Sequence, residues 1–316
     1  MTRVAVSILN FNSAQSTIAC VDSLLVAEKA AGDRCQLEIF IADNASALED
    51  QQELQQSLRE KVAVHLKVND ENLGFSAGHN QNLQAIFSET NPDYVWLLNN
   101  DCLVSRDALS ALLECAEQDK NVGIWGATLL EPDGETIQCA GGCFYNSWLS
   151  TYRQYGRGKP SGSAGRLRAV NYDYIAGASL FLPCITFQHG LVPLARPFVG
   201  DKGERPQCLN EDFFLYFEEL DLAKRLKPGF EMAWCRNAFI VHAGGASTGS
   251  ARNARAASAE YHSTLSALRF TRQYSPEKLW LMAPARFVLK SIQLVLKGKP
   301  RLLKPLTRAY RDFLLN

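Results

Sequence analysis

The chain has 316 residues, 33 Lys+Arg against 33 Asp+Glu, and 47% hydrophobic residues. That length can bury a large core, and the even charge excludes a generally basic nucleic-acid binder and a highly charged disordered chain. Nine cysteines, odd in number and without a CxxC pair, exclude a secreted disulfide framework and a cysteine zinc site and point to a reducing cytosol.

Met1 to Leu9 goes straight into a strand-like run, so no signal peptide is expected. Val4–Leu9 reads as a buried strand ending at Asn10. Residues 14–30 have helical spacing, with Ile18, Val21, Leu24 and Leu25 on one face. Leu37–Ala42 is the second strand, ending at Asp43-Asn44, and a polar helix follows over residues 47–60. Val62–Val68, a helix over Ser76–Ser88 and the strand Tyr94–Leu98 complete the pattern. Strands that recur with helices between them predict βαβ units and a parallel sheet, an α/β fold whose ligands bind at the carboxyl edge of the strands. Asn10–Asn12, Asp43–Ser46, Asn72–Phe75 and Asn99–Asp101 all fall at that edge.

Residues 121–210 are less regular. Gly158–Gly165 reads as an exposed loop, and Gln188–Leu209, with three prolines, as a loop or insertion. At the C-terminus, residues 278–316 hold nine Lys/Arg and a single acid, Asp312, a net of +8. The rest, 24 basic against 32 acidic, is −8. Leu279–Leu296 interleaves apolar residues with Arg286 and Lys290. A basic amphipathic tail on an anionic membrane surface and a helix packed on the body share this pattern. Pro284 and Pro300 predict short helical pieces, and no stretch reads as long and charge-free enough to span a bilayer.

The first turn, Asn10–Ser13, has no glycine, and no Walker loop occurs, which argues against a dinucleotide fold or a P-loop enzyme. Several polar residues carry two readings. Asp43 can accept a hydrogen bond from a pyrimidine N–H, whereas Asn44 or Ser46 suits a helix N-cap. Asp101 can hold a hard divalent cation that bridges phosphates, or make an Asx-turn. Glu218 and Glu219 point about 100° apart on a helix, so one at most faces a given cleft, and Phe213, Phe214, Tyr216 and Phe217 beside them would raise a carboxyl toward general-base range. Asp221 is spaced to pair with Arg225 at i, i+4. His242 ends an apolar run before Ala243-Gly244, where it is either structural or a neutral imidazole ligand.

In their order and spacing the segments Val6–Asn12, Ile41–Ser46, Asn72–Asn80, Trp96–Asp101, Gly123–Ala127, Ile175–Ala178, Phe213–Leu222 and Val241–Ser247 resemble glycosyltransferase family 2, in its rhamnosyltransferase-like branch. The resemblance covers about residues 4–250. It implies a GT-A fold, a nucleoside-diphosphate sugar donor (dTDP- or UDP-linked), a glycan or lipid-linked acceptor, and Mg2+ or Mn2+. It divides the chain into a nucleotide-sugar half (1–120), an acceptor and catalytic half of the same domain (121–275) and the basic tail (276–316). By position, Asp43 would contact the base, and Asn10, Asn12, Asn44, Asn72, Gly74, Phe75, Asn80 and Asn100 would line the nucleotide-sugar site. Asp101 would be the metal-binding aspartate and His242 a second ligand. Glu218 and Glu219 fall on the catalytic pair, whose second member is the base, and Asp221 lies beside them. Asn100 stands where the family often has proline, Glu219 where it has Asp, and Gln188–Leu209 where it has a shorter link. The expected activity is inverting transfer of one sugar, rhamnose first and galactose or glucose second, in cell-surface polysaccharide synthesis. A non-catalytic nucleotide-sugar binder is the alternative from another class. The expected place is the cytoplasm, at the inner face of the membrane.

Overall fold

The computed structural model describes residues 1–188, 208–244 and 249–315. Most of the Gln188–Leu209 segment and the end of the Val241–Ser247 motif therefore lie outside the described residues. The first half alternates β1 (Thr2–Asn10), α1 (Ala14–Ala31), β2 (Cys35–Asp43), α2 (Leu48–Leu58), β3 (Val64–Val68), α3 (Gly74–Glu89) and β4 (Tyr94–Leu98). Next come β5 (Cys102–Val104), α4 (Ala108–Gln118) and β6 (Val122–Leu130). Short strands follow: β7 (Ile137–Ala140), β8 (Gly142–Asn146), β9 (Thr151–Gln154), β10 (Tyr174–Ile175) and β11 (Ser179–Pro183), with the short helix α5 (Ile185–Gln188). The chain closes with α6 (Glu218–Leu226), β12 (Glu231–His242), α7 (Gly249–Tyr274), α8 (Pro276–Leu296) and α9 (Leu303–Leu315).

The large sheet runs β3-β2-β1-β4-β11-β6-β12-β5, with β7 beside β6. β3, β2, β1 and β4 are parallel, as are β6 and β12, whereas β11 runs antiparallel between β4 and β6. β11 is pinned there because the buried Trp96 indole donates to the Ser179 hydroxyl at 2.9 Å. β8, β9 and β10 form a second, three-stranded sheet.

The apolar runs of the inner strands follow from burial on both faces. Along β1, Val4, Val6 and Ile8 join one core with Val21 and Leu24 of α1 and Leu112 of α4. Ala5 faces the opposite core with Leu83 and Ile86 of α3 and Leu222 of α6. The α/β architecture expected from the sequence, with a parallel first half, is the one observed.

Two expectations for the tail are corrected. α8 runs unbroken through Pro284, an interior proline, and continues to Leu296. It is also, by length and composition alone, apolar enough to cross a membrane, since Leu279–Leu296 has only Arg286 and Lys290 as charges. Pro300 does break the chain, opening a 3-10 turn before α9.

Candidate functional site

β1 and β2 are in register so that Asn10 lies beside Asp43. Both are fully buried, and their side chains tie two loops together. The Asn10 amide donates to Asp43 (2.7 Å), Asp50 (2.8 Å) and Ser46 (3.1 Å), and its oxygen accepts from Thr17 at 2.7 Å. Asp43 also accepts from the Ser46 N–H (2.9 Å) and hydroxyl (2.6 Å). The loops cap each other's helices. Asp50 of α2 accepts from the Ala14 N–H at 2.8 Å at the start of α1, and the Asn12 side chain accepts from the Ala47 N–H at 2.8 Å. The cap at residue 47 thus comes from Asn12, not from Asn44 or Ser46. The first N–H of α1, where a dinucleotide fold would hold a pyrophosphate, already has a carboxylate partner. Asp43, read from the sequence as a base contact, has both oxygens turned onto this inner network.

Other residues read as nucleotide contacts also hold the edge together. Asn44 donates to the Gly74 carbonyl (3.1 Å) and accepts from Asn69 (3.0 Å). Asn72 accepts from the Gly74 N–H in an Asx-turn. Asn100 donates to Ser13 and Thr17 at 2.8 and 2.9 Å. Gly74 has φ +78°, and a Cβ there would collide with the Phe214 carbonyl, so only glycine fits. The Phe75 N–H donates to that carbonyl at 2.7 Å. Asn80 pairs with Leu209 in both directions, at 2.8 and 3.0 Å. Gly74, Phe75 and Asn80 therefore sit where α3 meets the segment leading into α6.

At the end of β4 the Asn99 N–H donates to the Ala178 carbonyl at 3.0 Å. Two residues on, Asp101 lies 3.2 Å from His242 Nε2, with β12 and β5 paired so that His242 opposes Cys102. His242 Nδ1 meets Gln138 Oε1 at 2.7 Å. The Gln138 amide nitrogen lies 3.3 Å from two acceptors, Glu131 and the His242 carbonyl, so its oxygen faces the ring and Nδ1 carries the proton. Nε2 then presents either a second proton or a lone pair to Asp101. A divalent cation can take that second proton's place. Two neighbouring ligands of a six-coordinate ion at about 2.1 Å lie about 3 Å apart, which the Asp101–His242 spacing fits. Cys102 is also within ligand distance, but burial holds its thiol protonated, and a hard cation takes oxygen and imidazole over a neutral thiol. Gln138 was not found from the sequence. The available signal was a buried glutamine in the otherwise apolar run of β7.

The acid pair opens α6. Tyr216 (φ 68°) and Phe217 (φ 76°) precede it, two successive non-glycine residues in left-handed backbone, a conformation that persists only where its surroundings impose it. Glu218 is buried and Glu219 partly so, and each keeps one inner carboxyl oxygen without a hydrogen-bond partner among the described residues. Burial raises both carboxyls, Glu219 to about 7, and the neighbouring Glu219 charge raises Glu218 further. The Glu219 carboxyl rests near Gly177, adjacent to the Ala178 carbonyl that holds Asn99. The Gly177–Ala178 turn thus joins the strand end of Asp101 to the raised carboxyl. Tyr152 and Tyr174 lie within reach of the Glu219 charge. Asp221 is different. It is fully buried and takes Arg225 and the Tyr274 hydroxyl, each at 2.7 Å. The i, i+4 ion pair is its observed role. α7 leans over the whole edge: Arg255 donates to the Asn12 carbonyl (3.1 Å), Ser266 to that of Leu215 (2.9 Å) and Arg269 to that of Asp212 (2.7 Å).

Residues 5–161 match the family model described as Glycosyl transferase family 2. No curated protein sequence matches the chain. Among solved structures, the chain is similar to GalNAc-T7 with UDP, GalNAc and Mn2+ (14% identity, TM-score 0.53), over 77% of this chain and 44% of that one. It is similar to S. aureus TarS (11% identity, TM-score 0.54) over 99% and 80%. It is similar to the mannosyltransferase PcManGT from Pyrobaculum calidifontis in complex with GDP-Man and Mn2+ (13% identity, TM-score 0.51) over 99% and 87%. The chain therefore spans less than half of the first of these and most of the other two. Residues 5–161 thus match glycosyl transferase family 2, and the chain as a whole has the GT-A fold.

Proposed function

We propose that the chain catalyses inverting, metal-dependent transfer of one sugar from a nucleoside-diphosphate sugar to a hydroxyl of a glycan or lipid-linked acceptor. The observation that carries this is the raised Glu219 carboxyl, joined through the Gly177–Ala178 turn to the strand end that holds Asp101 and His242. Glu219 takes the acceptor proton as that oxygen attacks the anomeric carbon, and the bond to the diphosphate breaks in the same displacement. No covalent sugar–enzyme bond forms, so configuration at that carbon inverts. Asp101 and His242 would hold Mg2+ or Mn2+, which when bound supplies positive charge to the leaving diphosphate. Gln138 fixes the His242 ring so that Nε2 faces Asp101.

The motif resemblance favours rhamnose from a dTDP- or UDP-linked donor, with galactose or glucose next, and a role in cell-surface polysaccharide synthesis. GalNAc-T7 and PcManGT, both solved with Mn2+ and nucleotide or nucleotide sugar, favour the donor class and the metal. Nine free thiols favour the cytoplasm. The test is release of nucleotide from a panel of dTDP-, UDP- and GDP-sugars, with acceptor present and with Mn2+, Mg2+ or chelator. Metal-dependent release from one donor, lost in Glu219→Gln, is the expected result. Donor binding without turnover under every condition would replace it with a non-catalytic sugar-nucleotide binder.

A further inference from the structure

A helix on a protein surface ordinarily turns its apolar stripe inward and its charges out. α8 departs from that pattern. Its inward face carries two cations. Arg286 is buried and donates to the Leu149 and Ser150 carbonyls at 3.1 and 2.6 Å, and Lys290 pairs with Glu260 of α7 at 2.7 Å. Met282 and Leu294, on either side of the two cations along the helix, each join a small separate core. The outward arc is apolar: Trp280, Val288, Leu289, Ile292, Val295 and Leu296 are 76, 54, 53, 51, 55 and 81% exposed. These residues span about half the helix circumference at 100° per residue. Only 17% of the apolar window is buried. The alternative that α8 packs on the body as ordinary core is thus not the one observed.

We propose that this outward arc is a docking face for an anionic lipid surface, on which α8 lies rather than crosses. Three observations select that occupant. Beyond Leu296 the chain continues into the exposed cations Lys297, Lys299, Arg301 and Lys304, a fringe suited to phosphate headgroups beside an apolar strip suited to acyl chains. The −8 body is repelled by the same surface, whereas the +8 tail is drawn to it. The like charge of two tails opposes a second copy on this face. Arg286 and Lys290, fixed to the body from the opposite side, keep the helix parallel to the surface instead of through it. This inference does not rest on the proposed reaction.

The test is co-sedimentation of the full chain with phosphatidylcholine vesicles, with and without phosphatidylglycerol, at low and high salt. The full chain should pellet with phosphatidylglycerol vesicles at low salt and leave them at high salt. Val288→Asp/Ile292→Asp should cut partitioning by about tenfold or more, since it puts two charges in the middle of the apolar arc. Lys297→Glu/Lys299→Glu/Lys304→Glu should cut it similarly for the anionic vesicles. Both variants alter exposed side chains, and an unchanged melting temperature confirms that they fold. A full chain that stays in the supernatant at low salt overturns the proposal. So does full pelleting of either variant, or a dimer in sedimentation equilibrium that Val288→Asp/Ile292→Asp abolishes.

Discussion

The turn after β1 and the turn into α6 are both polar, both lie at the working edge, and they are built in opposite ways. Around Asn10, Asp43, Ser46 and Asp50 every carboxylate meets a donor, and the loops cap each other's helices. At Glu218 and Glu219 two acids adjoin, two carboxyl oxygens lack partners among the described residues, and the backbone before them is left-handed twice. A buried polar group without a partner costs about 1–3 kcal/mol, so natural structures seldom keep one without a use. The contrast separates polar residues that shape the edge from those that act on what binds there, a distinction that residue type alone does not make.

The sharpest way to break that contrast is Glu219→Gln, which keeps size and loses the proton acceptor. Transfer should fall about 10²–10⁴-fold while donor affinity is retained. In the parent, kcat/KM should rise with pH through about 7, as the Glu219 carboxyl loses its proton. A parent profile flat from pH 5 to 9 would remove Glu219 from the role. Asp43→Ala tests the other side. If Asp43 builds the turn, the loss is about 2–3 kcal/mol of stability in denaturant titration, from an unpaired Asn10 amide and a hollowed turn. A loss of nucleotide affinity at unchanged stability would restore it as a base contact.

Gln138→Ala sharpens the comparison from a distance, because it frees the His242 ring without touching substrate. Metal affinity should weaken about 10–100-fold, read as the Mn2+ concentration for half-maximal activity, with kcat at saturating Mn2+ largely recovered. Gln138→Glu, which still accepts from Nδ1, should rescue much of that loss. The smallest effect concerns pH and stability. The acid pair binds protons more tightly folded than unfolded. Its contribution is therefore complete below the ordinary carboxylate value of 4.5 and is lost as pH rises through about 7. Glu218→Gln removes one of the two charges that must be buried, so it should lose less stability than the parent as pH rises from about 5 to about 8. Equal losses would show that Glu218 is not burdened as its surroundings indicate.

The parallel half was readable from the sequence because its information is local. Apolar runs, helical spacing and the polar residues that end each strand placed β1, β2, β4 and their edge within a few residues. Pairs distant in the chain were not readable. Nothing in Ser179–Pro183 says that this strand inserts antiparallel between β4 and β6. Gln138 and His242 are 104 residues apart, and their tie exists only once β7 and β12 flank β6. Asp43 and Asp221 were legible as polar residues in a functional neighbourhood, but which partner each faces is decided by packing. The outward apolar arc of α8 was visible as composition, and its direction only in the fold.

α7 has one more consequence. Its 26 residues extend about 39 Å at 1.5 Å each, and this single rod touches the β1–α1 loop through Arg255 and the α6 ion pair through Tyr274. α8 and α9 are fastened to its outer side by Lys290–Glu260 and Tyr261–Asp312. The two ends of the working edge are thus held at a fixed span by one girder, and a load applied to the tail bears on both together. Amide exchange along the middle of α7 should accordingly proceed only through cooperative opening that releases both turns at once, giving them a shared protection factor.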